Sequence, residues 1–418
     1  MKLHAANATQ RRILISGASI AGPTIAWWLD HFGFDVTVVE RAATVRGGGY
    51  PIDVRGPAVE VAKRMGILPG LNAAHIDSKS ITFLHADGKV AGTISPEALT
   101  GGVEQHDVEL PRGDLTELLY GATRGRPIRY LFNDSIASMA DDGAGVDVTF
   151  DSGAAGRYDI VIGADGIHSN TRRLILGPEA PFVHDLGYCY NGFTVPNFLH
   201  LSHESVMYTL PGRYAVLSAV KDSPTLHAFL IFASGPAPLA RLHDAQAQRQ
   251  LTAEQFAGLG WEVPRLLAAM QQADDLYYDI VAQIRLERWS QGRVVLVGDA
   301  AYAPSFLSGQ GSSLAMVGAY ILAGELAAHD DPRDAFARYE TLMRPFAEAN
   351  QNLAHGGGAF LLPRTQDQLD ARNRALAGAG AADADTHADA MPGDVSRAVH
   401  NALSLPDYEH IARCAAPR

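Results

Sequence analysis

A chain of 418 residues is long for one domain, so we expect two closely joined domains. Its composition, with 47% hydrophobic and 19% charged residues, excludes a disordered, collagen-like or disulfide-framework protein. The net charge of −12 repels phosphate backbones and acidic lipids, so neither nucleic acid nor a membrane surface is an expected partner.

The cysteines and the N-terminal region favour a cytoplasmic protein. Cys189 and Cys414 lie far apart, which is typical of ordinary thiols in a reducing compartment. Arg11-Arg12 precedes an apolar run over 13–29 and superficially resembles an export signal or a short membrane span. Two glycines and a proline interrupt that run, which is unfavourable for a bilayer helix, so we expect no membrane span.

The first forty residues predict a strand, a helix and a second strand. Residues 13–15 are a short β-rich run, and a small-residue turn follows over 17–22. Pro23 suits the first turn of a helix, which we expect to end near Gly33. A second strand over 36–39 completes the βαβ beginning.

The next part of the chain mixes loops, hairpins and one buried strand. The glycine-rich segment 46–56 predicts a loop that a ligand approaches closely, and a helix follows around 57–66. Short alternating runs over 76–110 are typical of hairpins, and residues 110–115 open another helix. An apolar strand over 160–162 leads into Asp165-Gly166.

Residues 185–290 are rich in strand patterns, with a helical insert over roughly 239–273. A buried strand returns at 293–297, followed by a long helix from about Ser312 to Ala328 and another near 335–354. The Ala/Asp-rich stretch 378–389 is typical of a mobile connection. We therefore expect a nucleotide-binding domain built from both ends of the chain and interrupted by a β-rich insertion.

The turn after the first strand is a dinucleotide-binding fingerprint with one substitution. Gly17 permits the tight turn, Gly22 permits close packing of helix on strand, and Ser19 replaces the usual middle glycine. The helix N-terminus favours a pyrophosphate, and Glu40 stands where a carboxylate accepts ribose hydroxyls. The residues expected to contact the dinucleotide here are Gly17, Ser19, Ile20, Ala21, Gly22 and Glu40.

A second strand–turn–helix distinguishes FAD from NAD. Asp299 follows the buried strand over 293–297 and is suited to the ribityl hydroxyls, a part that NAD lacks. The loop over 308–313 then enters the long helix. We expect backbone amides of Gly309, Gly311 and Ser312 to face the flavin N1–C2=O edge, where negative charge gathers in the reduced state.

A third element, Gly163-Ala164-Asp165-Gly166 leading to Arg172, completes a set of motifs in a recognisable order. With it, the chain resembles the class A flavoprotein monooxygenases, the p-hydroxybenzoate hydroxylase-like group. Residues 318–326, together with 51–54 and Arg112, are most similar to the branch of tetracycline-inactivating and polyketide-tailoring monooxygenases.

The resemblance implies an α/β fold, with a Rossmann-like FAD-binding domain, an inserted β-rich substrate domain and a C-terminal helix. The implied boundaries are 1–75, 105–180 and 285–330 for the FAD-binding domain, 76–104 and 181–284 for the substrate domain, and 331–418 for the C-terminal helical segment. A monomer or a homodimer is expected.

The resemblance also implies individual roles. Glu40 and Arg41 hold the adenosine, Arg46 docks the nicotinamide nucleotide, Asp53 lies near the isoalloxazine, Arg112 reaches the flavin side, Asp165 serves both FAD and NAD(P)H, and Asp299 binds the ribityl–pyrophosphate region. Met207, His227 and Phe306 are expected to face the substrate, although His227 in an apolar strand also suits a core position.

Two departures from the family bear on the substrate. Tyr302 replaces a usual His, and Ser305-Phe306 replace Pro-Pro; both changes are expected to border the flavin and alter substrate shape. Pro196 and Ser205 stand where tetracycline enzymes use Gln and Arg, which argues against tetracycline itself.

The expected activity is hydroxylation of an aromatic or polyketide-like small molecule. NADPH or NADH reduces FAD, and O2 adds to give a C4a-hydroperoxyflavin that transfers one oxygen atom. The flavin carries the chemistry, so no protein residue is assigned as catalytic, and the histidines lack metal-ligand spacing. The alternatives are a reductase or halogenase of the same fold, although the halogenase Trp-x-Trp element is missing from the sequence, and a non-catalytic flavin- or ligand-binding protein.

Overall fold

Two large sheets organise the chain in the computed structural model, which describes residues 10–100 except Arg46 and Gly48, 107–235, 244–379 and 393–411. The six-stranded sheet contains β1 (Arg12–Ser16), β2 (Asp35–Glu40), β7 (Arg129–Phe132), β11 (Ile160–Gly163), β17 (Ser290–Gln291) and β18 (Val294–Leu296). Its order is β17-β18-β11-β1-β2-β7, and every pair is parallel except the edge pair β17–β18. The central residues of β1, β2, β11 and β18 are buried and mostly apolar, as expected for a parallel sheet covered on both faces.

The seven-stranded sheet comes mostly from the middle of the chain. It contains β4 (Ser80–Leu84), β5 (Val90–Ile94), β12 (Val183–Pro196), β13 (Glu204–Leu210), β14 (Arg213–Ala219), β15 (Thr225–Ala233) and β16 (Tyr277–Ile284). Its order is β16-β12-β15-β14-β13-β4-β5, antiparallel except for β13 and β4. The strands of the two predicted domains thus lie in different sheets. The exact residues at which one domain gives way to the other stay a proposal.

Two small sheets complete the strands. β8 (Ile136–Asp141), β9 (Val146–Phe150) and β10 (Ala155–Tyr158) form an antiparallel sheet. β3 (Pro51–Val54) pairs with β6 (Val108–Pro111), which corrects the prediction of a loop throughout 46–56. The reason is that Val54 and Ile52 pack against the core at alternating positions, which fixes an extended strand.

Helices cover both sheets. They are α1 (Ala21–His31), α2 (Pro57–Arg64), α3 (Leu68–Ala74), α4 (Pro96–Thr100), α5 (Arg112–Thr123), α6 (Asn170–Leu176), α7 (Ala245–Phe256), α8 (Val263–Gln272), α9 (Asp299–Tyr302), α10 (Gly311–Ala328), α11 (Pro332–Leu361), α12 (Gln366–Ala379) and α13 (Gly393–His400). The predicted helical insert is the pair α7 and α8, which packs on one face of the seven-stranded sheet. Most of the stretch predicted to be mobile lies outside the described residues.

Helix α10 is the centre of the FAD-side core. It contacts α1, α2 and α11, and nearly all of its side chains are buried, so its apolar character all round is that of a core helix. By length and composition it is the one described helix that would be able to cross a membrane, with 83% of it buried within the protein.

Backbone packing is closest where β1 ends and α1 begins. Gly17 has φ of +104°, and a Cβ there would lie 2.5 Å from the Ala164 carbonyl oxygen. A Cβ on Gly22 would lie only 1.9 Å from the Gly17 carbonyl oxygen. Because both neighbours are backbone atoms that cannot move aside cheaply, glycine is required at both positions.

The Gly22→Ala variant should be destabilised by about 1–3 kcal/mol or more, because the added methyl group overpacks the turn against the helix. Gly121→Ala is the matched control, since Gly121 lies inside α5 with no atom within 4 Å of an added Cβ. That control should be neutral or about 0.5–1 kcal/mol more stable. Thermal unfolding measures both, and equal melting temperatures would show that the turn tolerates a side chain.

Candidate active site

Two predicted motifs meet at the N-terminus of α1. Arg112, the first residue of α5, reaches back so that its Nη2 donates to Ser19 Oγ at 2.6 Å. Ile20 is the N-cap of α1 and Ala21 its first residue. A guanidinium beside a helix N-terminus is an arrangement that stabilises a phosphate group, so the described geometry suits a pyrophosphate here.

Glu40 holds the end of β2 against this turn. Its Oε2 accepts from the Ala18 backbone N–H at 2.8 Å, and its Oε1 accepts from the Ala42 N–H at 2.9 Å. Each carboxylate oxygen has a second lone pair, so both remain able to accept a ribose hydroxyl. Arg41 is exposed beside it, and Arg46 lies outside the described residues.

Four predicted residues, Asp53, Asp299, Gly309 and Gly311, lie close together where β18 leads into α9 and α10. We call these residues, together with the N-terminus of α1, the cradle. A Cβ on Gly311 would lie 3.8 Å from Asp299 Oδ1, and a Cβ on Gly309 would lie 3.5 Å from Asp53 Oδ2. Burial raises the pKa of Asp299, and the positive charge of Arg112 acts in the opposite direction. The first turn of α10, including the buried Ser312, lies beside these groups.

The hydrogen bonding of the Gln310 side chain bears on whether this cradle fits a flavin. Its side chain is fully buried, and neither its Nε2 nor its Oε1 has a hydrogen-bond partner in the described structure. A buried amide without partners is costly in a finished protein. It lies between Gly309 and Gly311 at the start of α10, so the residues present fit FAD, whose pyrimidine ring carries matching donors and acceptors.

Asp165 has a different environment from the one predicted. Its Oδ2 accepts from the Thr171 N–H and hydroxyl, both at 2.8 Å, and from Ser16 Oγ at 3.2 Å, while its Oδ1 accepts from Ser169 Oγ. These donors join the ends of β1 and β11 to the start of α6. Its contact with FAD and NAD(P)H therefore stays a prediction, beside a structural role that the geometry makes explicit.

One face of the seven-stranded sheet contacts the FAD-side loops at Phe229. Its other part, at Phe83, Met207 and Val216, is buried under side chains of α11 and α12. Register places Phe83, Met207, Val216, Phe229 and Tyr277 in one row across the sheet, and we call this side the cleft face. The row contains the predicted Met207. The predicted His227 lies two residues from Phe229 on the same strand, hence on the same face, and is half-buried.

Aromatic rings connect the cleft face with the FAD-side loops. The Tyr50 and Phe229 ring centroids are 6.0 Å apart, and those of Phe306 and Tyr190 are 5.1 Å apart. Phe306 is 37% exposed and Tyr277 is 45% exposed, so both rings leave surface that a ligand is able to contact. Sequence reasoning named Phe306 but not Tyr50, Tyr190 or Tyr277, because contacts between rings from distant segments leave no local pattern in the sequence.

A polar chain joins the two sheets beside these rings. The Tyr277 hydroxyl donates to Asp279 Oδ2 at 2.8 Å, and His168 lies between Asp279 and Glu179, at 3.2 Å from each. Hydrogen bonding to Asp279 raises the pKa of His168. His168 follows the Gly-Ala-Asp-Gly segment, so this ion-paired group fixes the substrate sheet relative to the FAD side.

Tyr302 corrects one expectation. It is 2% exposed, its hydroxyl lies 3.1 Å from that of Tyr339, and its ring packs 4.5 Å from Trp289. A Cβ on Gly318 would lie 1.9 Å from its hydroxyl oxygen. The α9 turn therefore directs Tyr302 into the core. Ser305, which belongs to the second departure from the family pattern, has a strained φ of +75° in the loop that carries Phe306.

The chain is similar in sequence to known FAD-binding proteins. The FAD binding domain family matches residues 10–182 and 267–354. A flavin-dependent monooxygenase from an unknown prokaryotic organism is 39% identical over 404 residues, covering 95% of this chain and 99% of that protein. The chain belongs to the class A FAD-dependent monooxygenases.

Further relatives agree. The crystal structure of tetracycline destructase Tet(55) has a TM-score of 0.80 at 36% identity, covering 96% of this chain and 99% of that one. A Mycobacterium tuberculosis protein, Uncharacterized protein Rv1260, is 44% identical over 365 residues, covering 86% of this chain and 97% of that protein. The predicted fold, FAD binding and relationship to tetracycline destructases are confirmed, and monooxygenase activity is favoured over the reductase, halogenase and non-catalytic alternatives.

Glu40→Ala should weaken FAD binding roughly tenfold to hundredfold, because bonds from ribose hydroxyls to a charged acceptor contribute about 1.5–3 kcal/mol. Asp35→Ala is the control: it removes a carboxylate from the opposite end of β2, where Asp35 pairs loosely with Arg12 at 3.8 Å. FAD titration of the apoprotein followed by fluorescence measures the affinities. Equal affinities in the two variants would place the adenosine elsewhere.

Proposed function

We propose that this FAD monooxygenase uses NAD(P)H and O2 to hydroxylate an aromatic or polyketide-like small molecule. The observation that carries the proposal is the set of aromatic contacts between the cleft face and the FAD-side loops, where Phe229 meets Tyr50 and Tyr190 meets Phe306 beside a cradle that fits FAD. The curated relatives named flavin-dependent monooxygenase and the structural similarity to a tetracycline destructase support a multi-ring substrate.

The residues of this chain would bind FAD and the substrate, orient them towards each other and exclude water. FAD, held by Glu40, Arg112 and Asp299, would supply two-electron redox chemistry with NAD(P)H and the activation of O2 for transfer of one oxygen atom. Aromatic and aliphatic side chains of the cleft face make a dry surface, which suppresses loss of the activated oxygen to water. Arg112 and the N-terminus of α10 would supply positive potential to the bound cofactor.

The nicotinamide nucleotide is proposed to bind transiently. The sequence carries one glycine fingerprint, which the FAD adenosine would use, so NAD(P)H has no dedicated βαβ unit of its own. Arg46 is proposed to meet its phosphates, with Asp165 near the same region. A partner that arrives and leaves is consistent with a contact made by a single charged side chain.

The substrate is proposed to lie over Met207 and His227, under Phe306. Ser205 shares this face, and its hydroxyl donates to Ser218 Oγ at 2.8 Å, where tetracycline enzymes are expected to present an arginine. Pro196 ends β12 where they present a glutamine. Without those two side chains, we propose a substrate other than tetracycline.

A ligand screen tests the activity. The purified protein, loaded with FAD, should oxidise NADPH faster when a suitable phenolic or polyketide-like compound is added, and mass spectrometry should show a product heavier by one oxygen atom. Heat-denatured protein with free FAD is the control. Accelerated NADPH oxidation with peroxide as the only oxygen product in every case would contradict a hydroxylase.

Paired variants separate the resident cofactor from the visiting one. Asp299→Ala should yield largely colourless protein, because Asp299 lies in the cradle for FAD. Arg46→Ala should stay yellow but need roughly tenfold more NADPH for the same reduction rate, as expected for losing a charge-assisted bond to phosphate. Reduction by dithionite should be unaffected. A colourless Arg46 variant, or a fully yellow Asp299 variant, would contradict these assignments.

A further inference from the structure

A cluster of three carboxylates and one arginine lies beside the cradle, around the two-stranded sheet of β3 and β6. Asp53 and Glu109 are directly opposite each other in this antiparallel pair, so their Cβ atoms lie about 5 Å apart on the same face. Arg55 Nη2 lies 2.7 Å from Asp53 Oδ1, and Arg55 Nη1 lies 3.4 Å from Asp107 Oδ2. One cation therefore serves three carboxylates, and full ionisation of the cluster would leave an excess of negative charge.

The other charged and titratable groups near Glu109 leave this excess in place. Glu97 of α4 adds a further negative charge, and His75 Nδ1 contacts the Glu109 backbone, at 3.1 Å from its carbonyl oxygen. Burial and a neighbouring guanidinium lower the pKa of His400 to about 4, so that ring is neutral at pH 7. Arg112, with which α5 begins, donates to the turn before α1.

The balance of charge favours a shared proton on the two opposed carboxylates. Burial, together with the negative charge of Asp53, raises the pKa of Glu109 to about 7. Two carboxyl groups that share one site titrate as a pair, because the charge on one makes the other harder to ionise. The pair of Asp53 and Glu109 therefore gains or loses a proton close to neutral pH.

The same pair borders the place where the flavin is expected. A Cβ on Gly309 would lie 3.5 Å from Asp53 Oδ2, so this carboxylate faces the loop that enters α10. The next residue, Gln310, is fully buried and both of its side-chain polar atoms lack a partner in the described structure, which points to a ligand here. A charge that appears on the flavin would therefore act on Asp53 and, through it, on Glu109.

Reduction of the flavin creates such a charge. A hydride from NAD(P)H brings two electrons and one proton to a neutral ring system, so the reduced flavin is an anion. A new negative charge nearby disfavours ionised carboxylates, so the pair binds its proton more tightly than before. That proton comes from solvent, which the partly exposed Glu109 reaches, and it returns to solvent on oxidation.

We propose that Glu109, acting through Asp53, takes up one proton from solvent when FAD is reduced and releases it when FAD is oxidised. Glu109 is a positioning residue in this role, since Asp53 lies between it and the flavin. The uptake offsets the charge of the reduced flavin and makes reduction easier. The inference rests on the proposed function only in that it takes FAD to be bound and reduced in this cradle.

The test measures the midpoint potential of bound FAD, which requires neither NADPH nor a substrate. FAD-loaded wild type and Glu109→Gln are reduced slowly with xanthine and xanthine oxidase beside a reference dye, at a series of pH values. Below pH 7 the wild-type pair already holds its proton, so the two potentials should be equal. Above pH 7 the wild-type potential should fall below that of Glu109→Gln, by at most about 30 mV for each pH unit, the value for one proton in a two-electron couple.

Glu325→Gln is the matched control. Glu325 is a buried carboxylate near the far end of α10, about 21 Å along the helix from Gly311. Its replacement changes a buried glutamate in the same way but leaves the surroundings of the flavin untouched. The potential of this variant should follow that of wild type at every pH.

Each outcome supports or overturns the proposal. Parallel curves for wild type and Glu109→Gln overturn it, and so does a difference that grows as the pH falls. Should Glu109→Gln fail to fold, Glu97→Gln decides, because Glu97 is exposed and its charge helps to hold the proton on Glu109. The wild-type change of slope should then move to lower pH, and an unmoved curve overturns the proposal. A protein that shows the proton-linked potential but hydroxylates nothing contradicts the proposed function and leaves this inference standing.

Discussion

The close backbone contact at the end of β1 is the constraint on which the rest of the structure depends. Gly17 and Gly22 bring strand, turn and helix within reach of one another, and the carbonyl of Ala164, the residue after β11, fits against the same turn. A side chain at either glycine would separate β1 from its neighbours. Because this contact exists, the N-terminus of α1 opens directly onto the cleft, and Arg112 and Glu40 both reach it.

The two sheets divide the chemical tasks between them. The parallel sheet supplies backbone donors, helix ends and a few charged groups, which suit a polar cofactor. The cleft face of the seven-stranded sheet supplies rings such as Phe229 and Tyr277, which suit an apolar substrate. The His168–Asp279 pair spans the two, so the aromatic surface and the cradle stay in a fixed relationship. A reaction that must exclude water benefits from such a fixed arrangement.

Sequence reasoning located the backbone features whose local demands are strict. Gly17, Glu40 and Asp299 could be placed at a tight turn and at strand ends because each lies within a few residues of a recognisable pattern, while their contacts with FAD stay predictions. The directions of Tyr302 and Tyr277 could not be assigned in this way. Tyr302 is turned by contacts with distant helices, and Tyr277 reaches the cleft face because β16 pairs with β12, a partner some eighty residues earlier in the chain.

Buried charged side chains also differ in how far the sequence predicts their surroundings. Arg55 sits two residues after Asp53 on an extended segment, so its counter-ion is readable from alternation alone. The environment of Arg372 depends on the packing of α12 against β5, and no local sequence pattern predicts that packing. A folded protein tolerates an unpaired buried cation only at a cost, since desolvation of the charge is not offset by attraction to a carboxylate. Arg372, which forms no ion pair with a described residue, offsets part of that cost through hydrogen bonds to Thr209 and Asn373 and through the Phe83 ring, whose centroid lies 4.7 Å from its Cζ.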